Sequence, residues 1–217
     1  MTKLHVSDAV DGAIRAVVFD LGGVLIDWNP RHLYRKLFAD AVAMEQFLAT
    51  VCTQAWNEEQ DAGRPWDEAV VLLAARHPQH RELIAAYHHR WDEMLADPIA
   101  GSVEILADLR ASRTPVYALT NWSAEKFPIA RARYAFLAWF DGIVVSGEVG
   151  MRKPDPRIFG HLLERHGLAA PSTLLIDDSP ANVAAARGLG MAAVPFTTPD
   201  RLRADLKSFG LLENAAP

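Results

Sequence analysis

The chain has 217 residues, 50% of them hydrophobic and 23% charged, and carries a formal net charge of −5 at pH 7. This balance is typical of a folded soluble protein, and the length predicts one large domain or one domain that carries a smaller insert. The negative charge argues against a nucleic-acid partner, because nucleic-acid backbones bind lysine and arginine.

The first segments of the chain predict a strand followed by a turn. Residues 1–15 lack the continuous apolar stretch of a signal peptide, and no segment reaches the length of a membrane span, so we expect a cytoplasmic protein without a membrane partner. Residues 14–19 (IRAVVF) form a short β-branched run, which predicts a buried strand that ends just before Asp20. The sequence LGGVLID that follows is rich in glycine and favours a tight turn or a small hairpin.

From Pro30 to Asp97 the chain predicts an all-helical segment, because apolar residues recur there at three- and four-residue spacing. The single cysteine, Cys52, cannot form an internal disulfide, and its apolar surroundings indicate that it packs in the core. Three tryptophans of this segment could line a substrate pocket, although their helical spacing favours the core. They are Trp56, Trp66 and Trp91.

After Pro98 predicted helices and strands alternate, with strands at residues 114–120, 142–147, 172–177 and 192–196. Such alternation with short turns predicts a parallel sheet that is covered on both faces. The predicted fold class is therefore α/β, with a Rossmann-like parallel sheet core formed by residues 1–27 and 98–217. Residues 28–97 are predicted to form a helical cap inserted into that core.

Polar residues follow the predicted strands at the edge where ligands bind in open parallel sheets. Each of them alone could cap a helix or a turn, or lie on a solvated surface, but independent caps give no reason for three acids at one edge. Like charges a few ångströms apart cost ~1–4 kcal/mol per pair, so a lysine and a hard cation such as Mg²⁺ are expected to offset them. The residues concerned are Asp20, Thr120, Asn121, Lys153, Asp177 and Asp178.

This set of groups predicts phosphoryl transfer to a carboxylate. A magnesium ion between Asp20 and the phosphoryl oxygens would reduce the repulsion between a carboxylate nucleophile and a dianionic phosphoryl group. Lys153 would balance the phosphoryl charge, while the Thr120 hydroxyl and the backbone N–H of Asn121 would bind a non-bridging oxygen. The expected intermediate is an aspartyl-phosphate on Asp20, which water then cleaves.

Four segments of the chain resemble, in order and spacing, the four motifs of the haloacid dehalogenase superfamily: FDLGGVLID, ALTNWS, GMRKPDPRIF and LLIDDSPANVAAARGLG. The helical insert resembles the cap of that superfamily's subfamily I, and the motifs look most like those of bacterial phosphatases acting on glucose 1-phosphate. The resemblance implies that Asp20 is the nucleophile, Thr120 the phosphate-binding hydroxyl and Lys153 the lysine of the third motif.

The resemblance also implies a magnesium site. Asp178 matches the usual metal-binding acid of the fourth motif, with Asp177 beside it, and Asn182 lies where many relatives have another acid. The site would be completed by Asp20 and by the backbone carbonyl of Gly22. The expected partner is a small phosphorylated metabolite, and the sequence does not predict an oligomeric state.

Gly22 stands where most phosphatases of the superfamily have an aspartate that protonates the leaving group and later activates water. Such catalysis is typically worth about 10²–10⁴-fold in rate. We therefore expect the enzyme either to prefer activated phosphates, such as anomeric sugar phosphates, or to take an acid from elsewhere. The candidate acids are Glu58, Glu59 and Asp61 in the predicted cap and Asp27 in the turn, although a solvated helix end or a turn-stabilising acid is the simpler interpretation of each.

Two other functions fit the same set of residues. A 2-haloacid dehalogenase would use Asp20 as its nucleophile and needs no acid, because a halide leaves without a proton. Dehalogenases of the superfamily usually have serine or asparagine in place of Asp177 and Asp178, and two such acids without a cation are electrostatically costly. The second alternative is a protein that binds a phosphate ligand at this edge without turnover.

Overall fold

The computed structural model of the protein describes residues 13–213. The predicted absence of a signal peptide concerns mainly residues that lie outside this range. Within it, the chain forms two sheets. The strands are β1 (Ala16–Phe19), β2 (Ile26–Trp28), β3 (Leu95–Pro98), β4 (Val116–Thr120), β5 (Gly142–Val145), β6 (Thr173–Asp177) and β7 (Ala192–Pro195).

The main sheet has five parallel strands in the order β5-β4-β1-β6-β7. Its central strand, β1, has the sequence AVVF with all four residues buried, as expected for a strand covered on both faces. Phe19 is in register with Ala118 of β4 on one side and with Ile176 of β6 on the other. The residues that follow these three strands therefore meet at one edge of the sheet.

The helices lie between the strands in chain order. They are α1 (Arg31–Tyr34), α2 (Ala41–Thr50), α3 (Gln54–Asp61), α4 (Trp66–Arg76), α5 (Arg81–His89), α6 (Ala100–Ala111), α7 (Phe127–Arg133), α8 (Ser146–Val149), α9 (Pro156–His166), α10 (Pro180–Gly188) and α11 (Pro199–Ser208).

Helices cover both faces of the sheet, and neighbouring residues of β1 point to opposite faces. Val18 packs with buried residues of α9 and α10, such as Phe159 and Val183. Val17 and Phe19 belong to a larger buried cluster that includes residues of α6 and α11 and continues into the helices α1–α5. The predicted α/β fold with a doubly covered parallel sheet is thus confirmed.

The helices α1–α5 form one insertion between β2 and β3, which we call the helical insert (residues 31–94). Its two ends are held together because β2 and β3 pair antiparallel, with Ile26 opposite Pro98 and Trp28 opposite Leu95. This small sheet was not predicted, since it joins residues about 70 positions apart in the printed sequence. That residues 28–97 act as a separate cap domain stays a prediction.

Two further local differences separate the structure from the sequence-based expectation. Between β4 and β5, where the alternating pattern predicts a helix, α7 ends at Arg133 and a short 3₁₀ turn, Ala135–Trp139, follows. Tyr134 leaves the helical conformation, and its hydroxyl donates to the carbonyl oxygen of Ala96 at 2.6 Å. The strand predicted over residues 142–147 ends earlier, at Val145, and the short helix α8 begins at Ser146. In the described residues no helix is both long and apolar enough to cross a membrane.

Candidate active site

The carboxyl ends of β1, β4 and β6 bring the predicted site residues to one edge of the sheet. Asp20 directly follows β1, Thr120 ends β4 and Asp177 ends β6. The backbone N–H of Asp20 donates to the carbonyl oxygen of Ile176 at 2.8 Å, which continues the sheet pairing up to the nucleophile candidate. The parallel order of the strands therefore brings these predicted site residues together at one edge of the sheet.

Lys153 joins two of the carboxylates. Its Nζ lies 2.8 Å from Asp20 Oδ2 and 2.6 Å from Asp177 Oδ2, and the lysine side chain is fully buried. Burial lowers the pKa of Lys153, but the attraction of Asp20 and Asp177 outweighs it, so the pKa lies above its ordinary value. The lysine is consequently a charged group held between two acids.

Asn121 fixes the backbone of Lys153 through two hydrogen bonds. The Asn121 side-chain Nδ2 donates to the carbonyl oxygen of Lys153 at 2.9 Å, and the Lys153 N–H donates to Asn121 Oδ1 at 2.8 Å. Both ends of the Asn121 amide are therefore engaged. The Asn121 side chain positions the lysine, while its backbone N–H is the group predicted to bind phosphate.

The three acids form a cluster of oxygens. One carboxylate oxygen from each of Asp20, Asp177 and Asp178 lies within 4.8 Å of the other two. Burial raises the pKa of Asp20 to about 7; Lys153 opposes this rise, whereas Asp177 and Asp178 add to it. Burial likewise raises the pKa of Asp178, with Asp177 adding to the effect and Lys153 opposing it. One ammonium group thus faces three carboxylates, and a hard divalent cation fits both the oxygen donors and the surplus negative charge.

Asp177 and Asp178 have different surroundings. Asp177 is completely buried, and its Oδ1 accepts hydrogen bonds from the Ser179 N–H and from Asn182 Nδ2, both at 2.9 Å. Asn182 thus contacts Asp177 directly. Asp178 is exposed and borders the open cleft described below.

Gly23 is a site residue that the sequence analysis missed. Its φ of +73° is in the left-handed region, and a Cβ at this position would overlap Oδ2 of Asp178. The second glycine of the Gly-Gly turn therefore lets the chain pass close to the carboxylate of Asp178. The only sequence signal for Gly23 was the Gly-Gly pair of LGGVLID, which predicted a tight turn but not a contact with Asp178.

The hydroxyl of Thr120 is buried and has no hydrogen-bond partner among the described residues. A buried, unpaired hydroxyl is rare, because desolvation without a hydrogen bond costs about 1–3 kcal/mol. An anionic oxygen bound at this edge would give Thr120 the missing partner. That Thr120 is the phosphate-binding hydroxyl stays a prediction.

An open cleft of about 740 Å³ lies over the edge of the sheet. It is bordered by Asp20, Gly22 and Asp178 from the sheet side and by residues of α2 and α3 from the helical insert. A smaller cavity of about 60 Å³ lies beside it and is also bordered by Gly22. Five residues border both spaces: Gly22, Trp28, Asn57, Asp61 and Asn121.

Three of the four candidate acids have other partners. Asp27 lies with its Oδ2 3.1 Å from His32 Nε2 and borders neither space. Glu58 borders the cleft but forms an ion pair with Arg152 at 3.1 Å, and Glu59 pairs with Arg64 outside both spaces.

Asp61, the fourth candidate acid, differs from the other three. It is only partly accessible and borders both the cleft and the small cavity. The interpretation as a solvated helix end is therefore wrong for Asp61.

Of the three tryptophans considered in the sequence analysis, two lie in the core alone and one also borders a cavity. Trp56 and Trp66 are buried in the core, as favoured from the sequence, while Trp91 is buried and also borders the small cavity. Trp28 and Trp122 border the same cavity, which the sequence analysis missed because no local pattern predicts that β2 and the end of β4 meet. Cys52 is buried in the core cluster, as expected, and burial raises the pKa of its thiol to about 12.

Comparison with known proteins identifies related sequences. The model of a family described as haloacid dehalogenase-like hydrolase matches residues 14–190. The sesquiterpene phosphatase astK of Aspergillus oryzae is 29% identical over 183 residues, which cover 84% of this chain and 90% of that protein. A phosphoglycolate phosphatase of Photobacterium profundum is 26% identical over 194 residues, which cover 85% of this chain and 83% of that protein.

A solved structure has the same fold. The HAD family enzyme BT-2542 of Bacteroides thetaiotaomicron, in complex with magnesium and inorganic phosphate, matches with a TM-score of 0.64 at 24% sequence identity. The match covers 86% of this chain and 96% of that chain.

Proposed function

The chain belongs to the haloacid dehalogenase-like hydrolases, and on that basis we propose that it is a Mg²⁺-dependent phosphatase that forms an aspartyl-phosphate on Asp20. The observation that carries this proposal is the cluster of three carboxylates around the buried Lys153, at the edge of an open cleft. The phosphatase names of two relatives support the choice of reaction within the family.

Asp20 is suited to act as the nucleophile. Its Oδ1 accepts a hydrogen bond from the Leu21 N–H at 2.7 Å, and its Oδ2 lies beside the ammonium of Lys153. Both contacts favour the ionised carboxylate and fix its orientation towards the cleft. In the proposed first step a carboxylate oxygen of Asp20 attacks phosphorus and the bond from phosphorus to the leaving-group oxygen breaks.

Lys153, Thr120 and the backbone N–H of Asn121 would bind the non-bridging phosphoryl oxygens. The unpaired hydroxyl of Thr120 supports this assignment, because a phosphoryl oxygen would supply its missing hydrogen bond. The ammonium of Lys153 would in addition balance negative charge on the phosphoryl group. Asn121 keeps the lysine in place through its two hydrogen bonds.

The residues that would hold Mg²⁺ are Asp20, the backbone carbonyl of Gly22 and Asp178, in agreement with the oxygen donors that this ion prefers. We assign Asp177 mainly to positioning, because its Oδ1 and Oδ2 already accept hydrogen bonds from Asn182 and Lys153. When bound, the ion would neutralise phosphoryl charge and draw the phosphoryl group towards Asp20.

The proposed substrate is a small phosphorylated metabolite whose leaving group carries hydroxyls, such as a sugar phosphate. Three residues that border the small cavity have buried polar atoms without a partner among the described residues: Trp28 Nε1, Trp122 Nε1 and Asn57 Oδ1. Two donors and one acceptor match the hydrogen-bonding capacity of sugar hydroxyls.

Two alternatives receive less support. Dehalogenation needs no metal, and three acids against one lysine would then stay electrostatically unbalanced at this edge. Binding of phosphate without turnover leaves the contacts of Asp20 with Lys153 and Leu21 unexplained. The relatives with phosphatase names favour neither alternative.

The proposal is tested by phosphate release from glucose 1-phosphate, glucose 6-phosphate, an isoprenyl phosphate and 4-nitrophenyl phosphate, with Mg²⁺ or with EDTA. The Asp20→Asn variant is the control. We expect release that requires both Mg²⁺ and Asp20, and faster turnover of the sugar phosphates than of the isoprenyl phosphate. Release that persists in EDTA or in the variant would contradict the mechanism. Halide release from 2-haloacids, with no phosphate release from any substrate, would identify a dehalogenase instead.

A further inference from the structure

Gly22 leaves open space next to the proposed nucleophile. A Cβ built on Gly22 would meet no other atom within 4 Å, and the glycine borders both the cleft and the small cavity. The place where relatives carry their acid is therefore not filled by a packed side chain. A carboxyl group from another part of the chain has room to act there.

Asp61 borders the same space from the opposite side. Of the five residues that border both the cleft and the small cavity, Asp61 alone carries a carboxyl group. The other four are a glycine, a tryptophan and two asparagines, none of which exchanges a proton near neutral pH. Asp61 is thus the one candidate for a proton-transferring side chain among the residues that border both spaces.

The end of α3 is anchored so that Asp61 stays in position. Ser146 Oγ donates to the backbone carbonyl oxygen of Asp61 at 2.5 Å, which ties this end of the helical insert to the residue that follows β5. Asn57 Nδ2 donates to Asp61 Oδ2 at 3.0 Å. In the part of the chain that the structure describes, no lysine or arginine forms an ion pair with Asp61, whereas Glu58 and Glu59 each have an arginine partner.

We propose that Asp61 is the general acid and base of this enzyme, replacing the carboxylate that Gly22 does not supply; the inference rests on the proposed phosphatase function. When Asp20 attacks phosphorus and the bond to the leaving-group oxygen breaks, that oxygen takes the proton of the Asp61 carboxyl group. In the second half-reaction the Asp61 carboxylate takes a proton from water as the water oxygen attacks phosphorus. The bond between phosphorus and Asp20 then breaks, which restores both acids and releases phosphate.

The electrostatic surroundings of Asp61 are consistent with this role. The pKa of Asp61 is raised to about 7, mainly by burial and in part by the negative charges of Glu58 and Asp20, while the Ser123 N–H and Arg152 act in the opposite direction. An acid with a pKa near the working pH can both give and accept a proton, which is the condition for efficient acid–base catalysis.

The test compares substrates that differ in their need for a proton. Phenyl phosphate has a poorer leaving group than 4-nitrophenyl phosphate, so expulsion of phenol depends more strongly on an acid. For Asp61→Asn we expect kcat/KM to fall at least ~100-fold with phenyl phosphate and less than ~10-fold with 4-nitrophenyl phosphate. Glu59→Gln is the matched control, because Glu59 lies on the same helix but borders neither space, and it should behave like the wild type with both substrates.

Two further readouts support the assignment. After mixing with 4-nitrophenyl phosphate, Asp61→Asn should accumulate phosphorylated protein, detected by intact-mass spectrometry, because its second half-reaction lacks a base. Adding Gly22→Asp to Asp61→Asn should restore at least ~10-fold in kcat/KM for phenyl phosphate, since the new carboxyl group would enter the open space beside Asp20.

Failure of the inference is distinguishable from failure of the proposed function. An equal loss with both aryl phosphates, or no loss with either, in Asp61→Asn would overturn the role of Asp61 while leaving the phosphatase intact. No phosphate release by the wild-type enzyme from any substrate would overturn the proposed function itself. Thermal unfolding of Asp61→Asn verifies that the variant is folded before the rates are compared.

Discussion

Lys153 is a buried charged residue whose position serves the proposed reaction more than it stabilises the fold. Placing an ammonium group in the protein interior is costly, and here two carboxylates compensate for the loss of water. Asp177 in turn is held by hydrogen bonds from Ser179 and Asn182. The result is a rigid charged group next to Asp20, which would not need to reorganise when a phosphoryl group binds.

Asp61 is the residue for which a pH dependence of stability follows directly. Because its pKa is raised in the folded protein to about 7, from an ordinary value of 3.8, the folded state binds the proton more tightly than the unfolded state. The contribution of the Asp61 proton to the free energy of unfolding is fully present below about pH 4 and is lost as the pH rises towards 7. The Asp61→Asn variant cannot ionise at this position, so its stability should not decrease with pH for this reason.

We accordingly expect the melting temperature of Asp61→Asn to exceed that of the wild type at pH 8, with a difference that shrinks towards pH 4. Thermal unfolding between pH 4 and pH 8 measures the difference, with Glu59→Gln as the control that should show no such trend. A variant that is less stable than the wild type at pH 8 would mean that Asp61 is a structural residue, kept for its contacts with Asn57.

At the scale of elements, the carboxyl end of α3 is held in place by one serine at the edge of the sheet, Ser146. Ser146 Oγ donates to the Asp61 carbonyl oxygen and accepts a hydrogen bond from the Trp122 N–H at 2.8 Å. Removing the hydroxyl leaves a buried N–H and a carbonyl oxygen without partners, at a cost of about 1–3 kcal/mol. The end of α3, and with it Asp61, should then be held less firmly.

For Ser146→Ala we therefore expect a loss of about 1–3 kcal/mol in the free energy of unfolding, measured by urea denaturation. The decrease in kcat/KM should be larger for phenyl phosphate than for 4-nitrophenyl phosphate. Ser102→Ala in α6 is the matched control, because Ser102 is equally buried but its hydroxyl has no partner among the described residues. A decrease of the same size with both substrates would show that Ser146 does not act through Asp61.

The elements also explain how far the sequence could predict the site. Asp20, Thr120 and Asp177 were found because parallel strands end at a common edge, and each of these strands had a clear apolar pattern. Trp28 and Trp122 were missed because they meet only through the pairing of β2 with β3 and the packing of the helical insert. Contacts between residues so far apart leave no local periodicity, and the burial of Asp61 depends on the same packing.

At the scale of the whole molecule, the cleft lies between two parts of the chain that carry different groups. The edge of the sheet supplies the nucleophile, the lysine and the proposed metal ligands, whereas the helical insert supplies Asp61 and most of the cleft wall. The two parts are joined near the cleft by the ion pair of Arg152 with Glu58 and by the hydrogen bond from Trp66 Nε1 to Ser123 Oγ at 2.9 Å. A ligand at the sheet edge is therefore expected to stabilise both parts.

We expect Mg²⁺ together with inorganic phosphate to slow amide hydrogen exchange at the carboxyl ends of β1 and β6 and also in α3. The reason is linkage: a ligand that binds only the folded protein lowers the population of locally unfolded states at every element that borders it. Exchange in α11, which packs against α6 and does not border the cleft, should not change.

Mass spectrometry of peptides after exchange, with Mg²⁺ and phosphate or with EDTA, measures these effects. Asp178→Asn is the appropriate comparison, because it removes one proposed metal ligand and leaves the contact of Lys153 with Asp177 in place. If one bound ligand stabilises both parts, this variant should lose the protection in α3 together with that in the strands. Protection of the wild type that is confined to the strands would mean that the helical insert moves independently of the occupied site. Asp61, at the end of α3, would then not be held in position for proton transfer.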